Sequence, residues 1–257
     1  MSFSSRVKEE LSYQSGSAMH CRIAEIAAII SMCGLISLEE YGSVSIKIQT
    51  ENIAVARKYF TLVKKTYNID CDIRIRSHIH TGKNRTYIVE VRDDYAARRI
   101  LSSVKMMNGS VIVSGAYPLV TPLIFQKACC KRAFLRGLFL CTGSLSEPEK
   151  TYHFEIVCTT RERAEQICDM MKTFNIEGKW ITRKKYFVVY VKEAAQIVDM
   201  LNVMEAHVAL MELENVRILK EMRNAVNRKV NCETANINKT VSAAVKQRED
   251  IEFIRDH

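Results

Sequence analysis

The residues in this chain best suited to chemistry are nine cysteines and a close histidine pair, because thiolates and imidazoles bind zinc and thiolates attack electrophiles. The cysteines stand at 21, 33, 71, 129, 130, 141, 158, 168 and 232, and His78 and His80 follow a predicted strand. No two cysteines have the CxxC spacing of a zinc knuckle or a redox centre, and their total is odd. Cys33, Cys141 and Cys168 fall inside apolar helical patterns, where a reduced thiol packs as a small hydrophobe. His78 and His80 have no third ligand nearby in the chain, and read as surface imidazoles. The expectation is no metal, no cofactor and no catalytic residue.

The elements that hold these side chains repeat. The first copy runs as a helix over Arg22–Cys33, a strand Val44–Gln49 and a helix Asn52–Tyr67. A hairpin Cys71–Ser77 with Thr86–Arg92 follows, turning through Thr81–Asn84, and then a helix Asp94–Val104. The second copy has a helix Lys131–Cys141, a strand Tyr152–Cys158 and a helix Arg161–Phe174. Its hairpin joins Lys179–Thr182 to Tyr186–Val191, and its last helix is Glu193–Asn202. Period-2 and period-3.6 patterns change over at matching places, and Thr66-Tyr67-Asn68-Ile69-Asp70 parallels Thr173-Phe174-Asn175-Ile176-Glu177. This is an α+β class, with antiparallel sheets covered by helices on one face. The expected division is an N-terminal helix in 1–17 and a duplicated domain in 18–204, with copies in 18–108 and 127–204. A connecting helix in 205–230 and a further helical region in 231–257 follow.

Composition agrees. The 257 residues are 47% hydrophobic and 26% charged with only 9 Gly and 3 Pro, which excludes a disordered or fibrous chain. The longest nearly uncharged apolar stretch, Ile26–Leu38, is shorter than the roughly 20 residues that cross a bilayer. The first residues carry Arg6, Lys8, Glu9 and Glu10 and no apolar signal core, so a cytoplasmic protein with no membrane partner is expected. From Glu205 on, 9 basic and 9 acidic residues cancel, so the first 204 residues carry the whole net charge of +9. Such an excess suits a polyanion, most simply double-stranded DNA, although it also suits plain solubility.

Strand alternation predicts which side chains leave the covered sheet faces. In the first copy these are Ser45, Lys47, Gln49, Arg74, Arg76 and Arg92, with Lys83 and Arg85 at the loop. In the second they are His153, Glu155, Lys179 and Arg183, with Lys184 and Lys185 at the turn. The candidate nucleic-acid-binding set is Lys47, Arg74, Arg76, Lys83, Arg85, Lys179, Arg183, Lys184 and Lys185, since phosphates need cations. Glu90 and Glu155 share these faces and would repel phosphate, which leaves a solvated sheet or a protein-docking surface as the alternative.

The sharpest signal is the repeated first helix. Ile26-Ala27-Ala28-Ile29-Ile30-Ser31-Met32-Cys33-Gly34 aligns, 109 residues on, with Leu135-Arg136-Gly137-Leu138-Phe139-Leu140-Cys141-Thr142-Gly143. Ala28 and Gly137 are small at matched positions, so the two helices are expected to pack closely there, with a left-handed glycine capping each. The pattern resembles the LAGLIDADG homing endonuclease fold. In that family each helix brings an acid to the axis, just before the final glycine, to hold a divalent metal. Those positions are Cys33 and Thr142 here, neither of them a metal-binding carboxylate. Glu39, Glu40, Glu147 and Glu149 lie past the glycines and are expected to point elsewhere.

Three further stretches narrow the resemblance: Ser2–Leu11, Cys129–Phe139 and Arg228–Thr240 are similar to the WhiA family, in that family's order along the chain. The resemblance implies a degenerate, non-catalytic LAGLIDADG-like domain followed by an all-α helix-turn-helix domain. That domain would be truncated here, with its recognition helix past residue 257. It further implies a transcription regulator tied to cell division, chromosome segregation and, in some bacteria, sporulation. Such a protein would lie in the cytoplasm with the nucleoid, with a possible protein partner from the division or transcription machinery. The internal repeat supplies a two-fold of its own, so a monomer is expected. In the C-terminal part, Val208, Met211, Val216, Leu219, Met222, Val226 and Val230 mark one amphipathic helix, and Asn231–Thr234 offers caps for a second.

Overall fold

A computed structural model of the chain describes residues 1–38, 42–77, 85–108, 111–112, 115–116 and 120–256. The chain opens with α1 (Phe3–Tyr13), and the first copy then runs α2 (Met19–Cys33), β1 (Gly34–Leu38), β2 (Val44–Thr50), α3 (Ile53–Tyr67), β3 (Asp72–Ser77), β4 (Arg85–Val91) and α4 (Asp94–Ser103). Three two-residue strands follow: β5 (Met107–Asn108), β6 (Val111–Ile112) and β7 (Gly115–Ala116). The second copy contains α5 (Ala128–Thr142), β8 (Gly143–Leu145), β9 (Phe154–Cys158), α6 (Arg161–Lys172), β10 (Lys179–Arg183), β11 (Tyr186–Val191) and α7 (Ala194–Met204). The last helix is α8 (His207–Asp256). Two larger antiparallel sheets result, ordered β3-β4-β2-β1-β7 and β10-β11-β9-β8, and β5 pairs with β6 in a separate short ribbon.

The duplication is written in the backbone as well as the sequence. Asn68 (φ 55) ends α3 and Asn175 (φ 59) follows α6 at the matched position, both left-handed. Lys105 (φ 55) and Glu205 (φ 66) do the same after α4 and α7. There the amides of Met106 and Ala206 reach back to the carbonyls of Leu101 and Leu201, each at 2.9 Å. Asparagine tolerates this conformation; lysine and glutamate adopt it because the returning amide bond and the packed helix require it.

α2 and α5 pair at the centre. Ile26, Ala27, Ala28, Ile29 and Ile30 are wholly buried, as are Leu135, Phe139 and Leu140. Each large aliphatic side chain buried this way stabilises the fold by about 1.5–3 kcal/mol. Ala28 and Gly137 face one another: a methyl built on Gly137 would stand 2.8 Å from the Ala28 Cβ. The two closing glycines depart from expectation. Gly34 (φ −87, ψ 143) and Gly143 (φ −75, ψ 153) are extended, and each leads straight into a strand, β1 or β8. Glycine is needed there for space. A Cβ on Gly34 would overlap the Ile30 carbonyl and lie 2.9 Å from its Cα, and one on Gly143 would lie 2.7 Å from the Phe139 Cα.

A buried ion cluster crosses this helix pair. Glu25 accepts from Arg136 Nε at 2.9 Å and pairs with Lys58 Nζ at 3.0 Å, all three side chains being buried. Arg136 also donates to Glu205 at 2.6 Å, and Lys58 to the Leu11 carbonyl at 3.1 Å. α1 packs on through Phe3, Val7 and Leu11, all fully buried, and the Glu147 carboxylate accepts the Phe3 amide at 2.6 Å.

The chain divides into two units, Met1–Met211 and Glu212–His257. The second is the remainder of α8. Asn231–Thr234 stays helical, where the sequence suggests a break between two helices. No glycine or proline follows Gly178, and Thr240 Oγ1 turns back to the Asn236 carbonyl at 3.0 Å, so polar side chains are absorbed within the helix. Among the described residues, no helix is long and apolar enough to cross a membrane.

Candidate nucleic-acid interface

On the first sheet, the register pairs Lys47 with Glu90, Gln49 with Ile88, Asp72 with Glu90 and Arg74 with Ile88, so these side chains share one face. Gln49, Arg74, Arg76 and Arg85 are exposed and Lys47 is half-buried. Ser45 differs from expectation: it is buried, a short side chain opposite Ser37 on a central strand. Lys83 and the pair His78 and His80 lie outside the described residues. Glu90 does not stand free on this face. It accepts from Arg74 and from Arg92 Nε at 3.0 Å, and Arg92 also reaches Asp72 at 3.4 Å. These two arginines pull the Glu90 carboxyl below its ordinary value, against the opposing effect of burial.

The second sheet repeats the theme with different residues. Glu155 lies opposite Tyr190 and Ser144, accepts from Ser144 Oγ at 3.1 Å and pairs with His153 Nε2 at 3.2 Å. Arg183 approaches the same carboxylate at 3.5 Å. Lys179, Lys184 and Lys185 are exposed, and Lys184 takes a left-handed φ of 56 in the hairpin turn. Each open face therefore carries acids that engage arginine, Glu90 and Asp72 on the first sheet and Glu155 on the second. The cations with no carboxylate partner among the described residues are Lys47, Arg76, Arg85, Lys179, Lys184 and Lys185.

At the C-terminal ends of the paired helices stand Cys33 and Thr142, each immediately before its glycine. The Cys33 thiol is held below its ordinary value by its hydrogen bond with Cys141 and by the nearby Lys8 ammonium, against the opposing effect of burial. Burial in turn pushes Lys8 down, while Cys141 and Cys33 pull the other way. The Thr142 hydroxyl is buried without a hydrogen-bond partner. A lysine and two thiols thus meet at this end of the helix pair. Glu147 points away to the α1 amide, as described above; Glu39 and Glu40 lie outside the described residues.

At the opposite ends of the same helices the structure assembles a group that local spacing does not reveal. His20 and Cys21 in the first turn of α2 meet Cys129 and Cys130 in the first turn of α5, with their ligand atoms all within 4.8 Å of one another. The readable signal is the repeat offset. Shifted by 109 residues, His20-Cys21 falls on Cys129-Cys130, so the helix pairing brings together two dipeptides that no CxxC search joins.

In the second unit, Arg228, Lys229, Lys239, Lys246 and Arg248 are exposed along α8, with Arg248 3.7 Å from Glu252. Ile218, Leu219, Met222, Val226, Val230, Ile237 and Val241 are also more than 45% exposed there.

Comparison with known proteins agrees with this layout. Residues 19–107 match the family model of the WhiA N-terminal LAGLIDADG-like domain, 131–223 the WhiA LAGLIDADG-like domain, and 226–257 the WhiA C-terminal HTH domain. The chain is 54% identical over 257 residues to "Probable cell division protein WhiA" of Lachnoclostridium phytofermentans, covering 100% of this chain and 82% of that protein. It is 46% identical over 260 residues to the protein of that name in Alkaliphilus oremlandii, covering 100% and 80%. The crystal structure of full-length WhiA from Thermatoga maritima superposes with a TM-score of 0.73 at 23% identity, over 100% of this chain and 80% of that one. The homing endonuclease I-DmoI in complex with DNA and Mn gives a TM-score of 0.51 at 11% identity, over 73% of this chain and 98% of that one. The two solved structures share the fold of the duplicated domain. Three models matched in sequence order, with relatives of this identity spanning the whole chain, make it a member of the WhiA family.

Proposed function

We propose that this chain is a non-catalytic DNA-binding regulator of the WhiA type, acting in transcription linked to cell division, chromosome segregation and, in some bacteria, sporulation. The observation that carries the reading is the match of residues 226–257 to a helix-turn-helix model, behind a duplicated domain that holds all of the +9 charge. In this reading the helix-turn-helix region reads base edges, and the sheet faces of 18–204 contribute sequence-independent phosphate contacts. Lys47, Arg76, Arg85, Lys179, Lys184 and Lys185 make those contacts, while Arg74 and Arg183 are engaged by Glu90 and Glu155. The absence of a carboxylate at both Cys33 and Thr142 removes metal-assisted phosphodiester cleavage, and Lys8 adds a positive charge at that point. The protein acts near the nucleoid and as a monomer.

The test is a salt-titrated binding assay on random duplex DNA, comparing the chain with an R74E/R76E/R183E/K185E variant. Binding that weakens with salt and is lost in the variant supports phosphate contact by the sheets. Binding independent of salt overturns it. A second reading, a protein-docking scaffold, is favoured by the ion pairs of Glu90 and Glu155, which neutralise part of each face. DNA binding by neither the chain nor the charge-reversed variant would overturn phosphate contact by the sheets and leave the repeat as a docking module.

A further inference from the structure

His20, Cys21, Cys129 and Cys130 make a ligand set that the proposed DNA contact does not use. From the His20 Nδ1 atom the distances are 3.2 Å to Cys130 Sγ, 3.3 Å to Cys21 Sγ and 4.0 Å to Cys129 Sγ. A tetrahedral ion with Zn–S of about 2.3 Å and Zn–N of about 2.0–2.1 Å sets its ligands about 3.5–3.8 Å apart. The three distances from His20 Nδ1 bracket that spacing, and all four ligand atoms lie within 4.8 Å of one another. Hydrogen bonding alone accounts poorly for the cluster. One imidazole nitrogen can accept from only one thiol, and thiols are weak donors to one another.

The placement also suits anionic sulfur. α2 and α5 both begin here, after Ala18 and Lys127, with no side-chain cap and no acid in the first turn. Burial pushes the Cys21 and Cys130 thiols up, and the positive dipole ends of the two helices, with a bound cation, would offset that cost for the thiolates. Cys21 and Cys130 are buried while His20 and Cys129 are exposed, so the group is anchored on one side and open to an entering ion on the other. Soft sulfur with one imidazole selects zinc over magnesium or calcium, and four protein ligands leave no open position for catalysis.

We propose that His20, Cys21, Cys129 and Cys130 bind a structural Zn²⁺ ion that clamps together the N-terminal ends of the two central helices. Binding displaces the three thiol protons to solvent and joins the two copies of the repeat at one point. Among the described residues, the other end of the helix pair, at Cys33 and Thr142, offers no such set.

The test uses the whole chain, purified in reducing buffer. Elemental analysis is expected to find one zinc per chain in the wild type and in Cys232→Ser, and to find it lost in Cys129→Ser. Titration of the metal-free protein with Co²⁺ is expected to give the visible bands of a tetrahedral site and a thiolate charge-transfer band in the near ultraviolet. Cys129→Ser should weaken cobalt binding by about a hundredfold or more, beyond the roughly 10–100-fold typical of losing an outer-shell partner. His20→Cys should retain it with stronger charge transfer. Because His20 and Cys129 are exposed, both variants can fold, and circular dichroism checks that they do. An octahedral cobalt spectrum, equal binding by wild type and Cys129→Ser, or metal-free protein holding a Cys21–Cys130 disulfide would each overturn the assignment.

Discussion

Gly137 lies against Ala28 so closely that a methyl in place of its hydrogen would sit 2.8 Å from the Ala28 Cβ and 2.9 Å from the Glu25 carbonyl oxygen. Alanine ordinarily favours a helix over glycine by about 1 kcal/mol. Here the backbone contact reverses the sign. Gly137→Ala is expected to destabilise the fold by about 1–3 kcal/mol in urea denaturation. Adding Ala28→Gly should restore part of the loss, because it removes one of the two clashes and leaves the Glu25 carbonyl.

Arg136 links Glu25 to Glu205 in the buried cluster. Arg136→Met would leave Glu25 with Lys58 as its remaining charged partner, deep in the helix pair. Breaking a buried pair on one side costs about 3–5 kcal/mol, far more than a surface pair. Chemical denaturation should show this loss. By contrast, Arg161→Ala, which breaks an exposed pair with Glu165, should change stability by less than about 1 kcal/mol.

Asp94 ties β2 to α4, accepting the Val44 amide at 2.8 Å and Arg98 Nε at 2.8 Å. The Val44 amide first, then Arg98, hold its carboxyl below the ordinary 3.8. A carboxyl depressed in the folded state stabilises above the unfolded value and loses that contribution as pH falls through the folded one. Asp94→Asn should therefore be less stable than wild type at neutral pH, with the gap closing below about pH 3.8. Thermal unfolding across pH 2–7 checks it.

If the sheet faces touch DNA, the acids on them restrain the arginines. Glu90→Gln and Glu155→Gln release Arg74 and Arg183 from their carboxylates. The double variant should bind duplex DNA more tightly at low salt. The slope of log K against log salt should steepen by about one to two, at roughly 0.9 per added phosphate contact. An unchanged slope would show that these faces do not meet the duplex.

Most of the repeat was legible because its helices and strands carry their periods in the sequence and because the offset of 109 aligns α2 with α5. Four features were not. β1 and β8 begin at the glycines themselves, with no loop to announce them, so Gly34 and Gly143 read as caps. Ser45 follows the alternation but sinks on a central strand because its side chain is short. The pairing of Glu25 with Lys58 and Arg136 joins residues up to 111 positions apart, and only the helix crossing makes it. At Asn231–Thr234, capping residue types suggested a boundary, but without glycine or proline they did not end α8.

The ion cluster also distinguishes the two halves of the repeat. Under the 109-residue offset, Glu25 corresponds to Phe134 and Arg136 to Ala27, so the acid comes from one copy and its guanidinium partner from the other. Each half also holds a partner for its own charge, Lys58 for Glu25 and Glu205 for Arg136, so the bond from Arg136 to Glu25 joins two pairs that are each neutral. Two first copies meeting through their central helices would set Glu25 opposite alanine, and two second copies would set Arg136 opposite phenylalanine. Only the unlike pairing makes the bond between the copies, so the cluster marks the two halves as specialised for one another.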